Sequence, residues 1–212
     1  MSLRILIFAI IALFSSSSIA VPARPAIRVA AIGDSLTLMS ESRGERGFGQ
    51  HLEYLLQGAS RVAAVGTVAV NSTTSTNHLS YWTTRVKGQG YTHLVLWSGY
   101  NDAYTAVSTS TTTANIQQIT NEALAEGLTV VIVSITPWSG APDWTSTRQT
   151  ACNAIDTYTS TMGSVTRINA WTVLGQSGGS VLSSAYDSGD GVHINSAGAL
   201  ALAQAIKTAL GL

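Results

Sequence analysis

Short runs of β-branched and other apolar residues alternate along the chain with stretches in which apolar side chains recur every three or four positions. The runs at 27–32, 61–70, 93–97, 128–135 and 164–170 each predict a strand. The run 128–135 is almost free of polar side chains, as a central strand buried on both faces requires. Helices are predicted over 47–57, 114–126, 148–161 and 196–210. The last of these carries Leu200, Leu202, Ala205, Ile206, Ala209 and Leu210 on its apolar side, with Asn195 and Ser196 before it as a cap. Strands alternating with helices predict an α/β fold, a parallel sheet covered on both faces. Ser/Thr clusters at 72–76 and 108–113 predict loops, and no repeat or linker divides the body of the chain.

The first residues follow a different pattern. Arg4 precedes an apolar run at 5–14, and residues 15–20 are small or polar, ending Ser18-Ile19-Ala20. This predicts a secretory signal peptide over residues 1–20, a single domain over 21–212, and a secreted protein, extracellular or periplasmic. The apolar run is short of the ~20 residues that span a bilayer, so no stable membrane insertion is expected after cleavage. The 212 residues are 45% hydrophobic and only 10% charged, enough for a full core under an uncharged, Ser/Thr-rich surface. Eleven basic side chains balance eleven acidic ones with no basic run, which excludes nucleic acid as a partner. The single cysteine, Cys152, permits no internal disulfide and reads as a buried apolar residue.

Candidate chemistry lies just beyond the strands. Gly33-Asp34-Ser35-Leu36-Thr37 follows the first strand, which puts the Ser35 hydroxyl at the end of the sheet where ligands of parallel sheets collect. Near the other terminus stands Asp190-Gly191-Val192-His193. One tight turn over that spacing lets the carboxylate accept the imidazole Nδ1 proton and leaves Nε2 facing outward. A serine nucleophile, a histidine base and an orienting carboxylate point to hydrolysis. Trp97-Ser98-Gly99-Tyr100-Asn101-Asp102 places a side-chain amide after the third strand, where it can donate to a developing oxyanion. Asp34 and Asp102 read as braces of their turns. His51, His78 and His93 share no metal-ligand spacing and read as structural or surface residues, so no metal or cofactor is expected.

Through Gly33-Asp34-Ser35-Leu36, Gly99-Tyr100-Asn101-Asp102 and Asp190-Gly191-Val192-His193, in that order, the chain resembles the SGNH or GDSL hydrolase family. The resemblance implies a flavodoxin-like, three-layer α/β/α sandwich with a central parallel sheet of about five strands and an open site. It also implies that Ser35 is the nucleophile, His193 the general base and acid, and Asp190 its orienting carboxylate. Asn101 and the backbone N–H of Ser35 become oxyanion donors. A family feature is missing. The loop after the second strand, where the family presents a glycine N–H to the oxyanion, reads Asn71-Ser72-Thr73-Thr74-Ser75-Thr76-Asn77. Residues 73–76 remain open as the replacement donor, with Thr76 carried as the candidate.

Trp82, Tyr100, Tyr104, Trp138 and Trp144 fall near strand ends and are expected to wall a cleft for a sugar or an apolar acyl chain. The resulting expectation is a secreted serine esterase acting on short-chain acyl or carbohydrate esters, small or polymeric. The alternatives are a catalytically weak or inactive glycan-binding module on the same fold, and a lysophospholipase or thioesterase of the same family.

Overall fold

The computed structural model describes residues 27–38, 46–57 and 63–212; the signal peptide expected over 1–20 lies outside the described residues. The five strands are β1 (Ile27–Gly33), β2 (Ala63–Ala69), β3 (His93–Trp97), β4 (Thr129–Val133) and β5 (Thr166–Ile168). All neighbours are parallel, in the order β2-β1-β3-β4-β5. The chain steps once to the left of β1 and thereafter to the right, so its carboxyl ends diverge at β1 and β3. That divergence leaves a crevice at the reversal of strand order.

The helices are α1 (Ser35–Leu38), α2 (Phe48–Gln57), α3 (Ser75–Tyr81), α4 (Tyr100–Tyr104), α5 (Thr109–Ala125), α6 (Ser146–Ser160), α7 (Ala170–Leu174) and α8 (Ser196–Ala209). Contacts join α2 to α8, and separately α3 to α5 and α5 to α6. Right-handed crossovers place these two groups on opposite faces of the sheet, giving the expected three layers. The core runs through Val29, Ile32, Leu94, Leu96, Val131 and Val133 of the sheet, with Phe48, Leu52, Ile116, Ile119, Leu202 and Ile206 from the helices. At the β2 edge, Glu53 accepts the Val65 N–H (3.2 Å) and Gln57 donates to the Ala63 carbonyl (3.4 Å).

Several local expectations change. The cluster at 108–113 is not a loop: Ser108 accepts the Thr111 N–H as an N-cap, and α5 begins at Thr109. Residues 75 and 76 likewise belong to α3, which runs on into a π-helical turn, Trp82–Val86. Asn195 caps α8 as predicted, accepting the N–H groups of Ala197 and Gly198 at 3.0 Å. Cys152 is buried, and burial pushes its thiol up to about 12, as expected for an inert core residue.

Candidate active site

The turn after β1 depends on Gly33. A Cβ there would fall on Thr37 Oγ1 and lie 2.6 Å from the Trp97 carbonyl, so β1 approaches β3 and its own following helix too closely for any side chain. Asp34 then folds under the turn, with Oδ1 accepting the Leu36 N–H (2.9 Å) and its carbonyl accepting the N–H groups of Thr37 and Leu38. Ser35 is lifted to the start of α1, 9% exposed.

The second component comes from the segment before α8. Asp187 accepts the N–H groups of Gly189, Asp190 and Gly191, and Ser188 N–H bonds the His193 carbonyl, so residues 187–193 close into a pinned loop. Within it Asp190 Oδ1 accepts the N–H groups of Val192 and His193, both at 2.8 Å. Asp190 Oδ2 lies 2.6 Å from His193 Nδ1, and His193 Nε2 lies 2.9 Å from Ser35 Oγ. The three side chains named from the sequence therefore meet in one hydrogen-bonded line. With Nδ1–H donating to the carboxylate, Nε2 of the neutral ring is free to accept from the serine hydroxyl. Burial works to raise the Asp190 carboxyl. The bonds from the His193 ring and from the two backbone N–H groups outweigh it and hold the group below its ordinary range.

Asn101 is 8% exposed and lies in the same cleft. Its amide nitrogen donates to Asp34 Oδ2 at 2.9 Å and to the Thr73 carbonyl at 3.1 Å. Both amide protons thus have partners in the resting site. Asp34 is shut away from solvent, and burial pushes its carboxyl up to about 7 against the bonds from Leu36 and Asn101. Asp102 braces its turn as expected, accepting from Ser75 N–H (2.8 Å), Ser75 Oγ (2.5 Å) and Thr112 Oγ1 (2.9 Å).

Thr76 is the correction. It sits inside α3 with its hydroxyl accepting from Asn115 (3.2 Å), and it does not line the cleft. The residue of that loop that does is Ser72, held in the left-handed region at φ 58°. The backbone N–H groups of Ser35 and Ser72 have no hydrogen-bond partner among the described residues. No sequence signal marked Ser72: a left-handed position is ordinarily announced by glycine, and this one carries serine.

The cleft is about 540 Å³ and is walled by Tyr100, Tyr104, Ala141, Pro142 and Val192. Tyr100 and Tyr104 stack at 6.1 Å, and Arg148 lies over the outer face of Tyr104. Trp82 and Trp138, expected at the cleft, are instead fully buried: Trp82 gives its Nε1–H to Glu122, and Trp138 packs edge-on against Tyr100. Trp144 is partly exposed on the α6 side, bonded to Gln149, and does not line the cleft. His51 and His93 pair with Ser196 and Thr92, away from the site.

Comparison with solved structures gives the same fold. A G-D-S-L family protein from Desulfitobacterium hafniense superposes with a TM-score of 0.72 at 17% identity, covering 86% of this chain and 98% of its own. The acetylxylan esterase of Geobacillus stearothermophilus gives 0.70 at 17% identity, over 88% and 94% of the two chains. A psychrotrophic esterase from a Pseudoalteromonas species gives 0.67 at 13%, over 87% and 96%. No curated protein matches the sequence. The model of the GDSL-like lipase/acylhydrolase family matches residues 31–201, from β1 into α8 and across every element of the site, and the chain belongs to that family.

Proposed function

We propose that the protein is a secreted serine esterase of neutral short-chain acyl or carbohydrate esters, a single catalytic domain following a cleaved leader. The observation that carries the chemistry is the line from Ser35 Oγ through His193 to Asp190, with bonds of 2.9 and 2.6 Å, opening on the cleft. His193 takes the Ser35 proton as Oγ attacks the ester carbonyl, and Asp190 steadies the imidazolium that forms. The oxyanion is received by the N–H groups of Ser35 and Ser72 and by the Asn101 proton that the resting site shares with the Thr73 carbonyl. His193 then passes its proton to the leaving alcohol. Water, deprotonated by the same ring, attacks the acyl-enzyme and releases the acid.

The cleft lining supports the substrate class. It contains the carboxylates of Asp143 and Asp190, while the neighbouring guanidinium of Arg148 is engaged by the Tyr104 ring and the Asp143 carbonyl, a balance that disfavours phosphorylated alcohols and nucleotide thioesters. Two tyrosine rings at its wall suit a sugar or a small aryl alcohol. Export rests on the leader pattern of the first twenty residues.

The test is hydrolysis of p-nitrophenyl acetate, butyrate and octanoate, and of an acetylated xylo-oligosaccharide, by the wild type and Ser35→Ala. The expected result is turnover of acetate and the oligosaccharide that the substitution abolishes, with a diethyl phosphate ester of p-nitrophenol labelling only the wild type. Equal rates in the two proteins would rule out Ser35 as the nucleophile.

A further inference from the structure

His78 is fully buried on α3, outside the cleft and unused by the reaction just described. A buried imidazole needs partners for both ring nitrogens, and here the partners come from the two loops that build the oxyanion side of the site. Nδ1 lies 2.7 Å from Ser98 Oγ, on the segment that leads from β3 to Asn101. Nε2 lies 3.2 Å from Thr73 Oγ1, next to Ser72.

The proton directions are fixed by the neighbours. Thr73 Oγ1 donates to the Val70 carbonyl at 2.7 Å, so toward His78 it accepts, and Nε2 carries the proton. Nδ1 of the neutral ring then accepts from the Ser98 hydroxyl. A single neutral tautomer satisfies every group, and burial favours it by holding the ring's proton affinity well below the usual histidine range, against the pull of the Asp102 carboxylate.

We infer that His78 is a positioning residue for the oxyanion hole: through Thr73 it holds the loop that presents the Ser72 N–H and the carbonyl that orients Asn101. This rests on the esterase reading above. The loop has need of such a brace. It lacks the glycine that adopts φ 58° freely, and Ser72 stays in that conformation only if its surroundings impose it. Thr73 is where they do so: its hydroxyl closes the turn onto Val70 and takes the His78 proton, and its carbonyl receives Asn101. The frame behind the loop is secured separately. Asp102 ties Ser75 and Thr112, and Asn77 bonds the Thr74 N–H. Loss of the His78–Thr73 bond therefore frees the loop without releasing α3.

The test compares full-chain Thr73→Val, Thr73→Ser, His78→Phe and the Thr73→Val/His78→Phe double variant with the wild type on p-nitrophenyl acetate, with Ser35→Ala as reference. Misplacing a reacting group by about 1 Å costs up to about 100-fold, so Thr73→Val and His78→Phe should each lower kcat by about 10- to 100-fold. KM and the acid limb of the pH profile should not move, because Ser35, His193 and Asp190 are untouched. Thr73→Ser, which keeps the hydroxyl, should retain wild-type kcat. The double variant should lose clearly less than the product of the two single losses, since the His78–Thr73 bond is broken in both, each substitution adding one further loss of its own, to Val70 or to Ser98. If His78→Phe does not fold, His78→Leu takes its place beside the Thr73 pair, because Thr73→Val also removes the bond to Val70. Wild-type kcat in Thr73→Val, multiplying losses in the double variant, or a loss confined to KM overturns the inference. Turnover surviving in Ser35→Ala overturns the esterase reading instead.

Discussion

Replacing His78 by phenylalanine turns its burial into a measurable pH dependence of folding. In the folded chain burial lowers its pKa from the ordinary 6.5 to about 4, while in the unfolded chain the ring titrates normally. A depressed folded value means that protons bind the unfolded state more readily, so the stabilisation is whole above pH 6.5 and is lost as pH falls toward 4. The full gap, 6.5 − 4 = 2.5 pH units at about 1.4 kcal/mol each, is on the order of 3 kcal/mol. By about pH 5 roughly 2 kcal/mol of it is gone, whereas near pH 7.5 almost all of it remains. Phenylalanine does not titrate, so its fixed cost in lost hydrogen bonds is the same at every pH. Urea unfolding of wild type and variant at about pH 7.5, 6 and 5 should show the stability difference narrowing by roughly 2 kcal/mol on acidification. A difference that stays level across that range would mean that the ring is not held neutral by burial, and the proton assignment around Thr73 and Ser98 would fall with it.

Three further outcomes are expected. Asp190→Asn leaves the loop's backbone bonds possible but no longer stabilises Nδ1–H, so kcat should fall by about 10⁴-fold in steady-state assays, while a loss below tenfold would argue that His193 is oriented by something else. Gly33→Ala drives a Cβ to 2.6 Å from the Trp97 carbonyl, backbone that cannot turn aside, and should destabilise by about 1–3 kcal/mol or more in the same urea assay; an unchanged midpoint would refute the close approach. Asp34 titrates with the opposite sign to His78: burial raises it from 3.8 to about 7, so ionisation is disfavoured in the fold and stability falls as pH rises through that window. The full cost is about 4 kcal/mol above pH 7, and Asp34→Asn, which does not ionise, should gain on the wild type by that order between acid and mildly alkaline pH.

What could be read from the residues followed local rules. The strands 27–32 and 93–97 and the sheet they form with three others are expressed by continuous apolar runs, whose burial needs no knowledge of partners. The triad candidates were legible because Asp190 and His193 belong to one turn and Ser35 to another, each set by its own backbone. What failed depended on tertiary packing. Trp82 and Trp138 look alike in sequence to Tyr100 and Tyr104, and only the closure of α4, α5 and α6 decides which rings reach the cleft. The cap at Ser108 was masked by the Ser/Thr run that follows it, five residues with poor helix propensity that α5 absorbs through Thr112 Oγ1 bonded to Asp102. Thr76 was displaced for the same reason: the first turn of α3 begins sooner than an apolar pattern shows, pulling it toward Asn115 and leaving Ser72 at the opening. His78 carried no signal, because a brace between two loops has no sequence spacing.

The treatment of the sheet margins bears on how such a chain survives without a disulfide. A parallel sheet ends in two strands whose outward N–H and C=O groups are a template for another molecule's backbone. Here β5 is only three residues long, too brief to seed a ladder. On the opposite side two residues of α2, one turn apart, reach over β2: Glu53 occupies the Val65 N–H and Gln57 the Ala63 carbonyl. Side chains thus stand where a foreign strand would dock along the first half of the seven-residue β2, at Ala63 and Val65. With a formal charge of zero the chain has little electrostatic repulsion to keep copies apart, so that hydrogen-bonded screen and the brevity of β5 are the obstacles to edge pairing that the fold itself supplies.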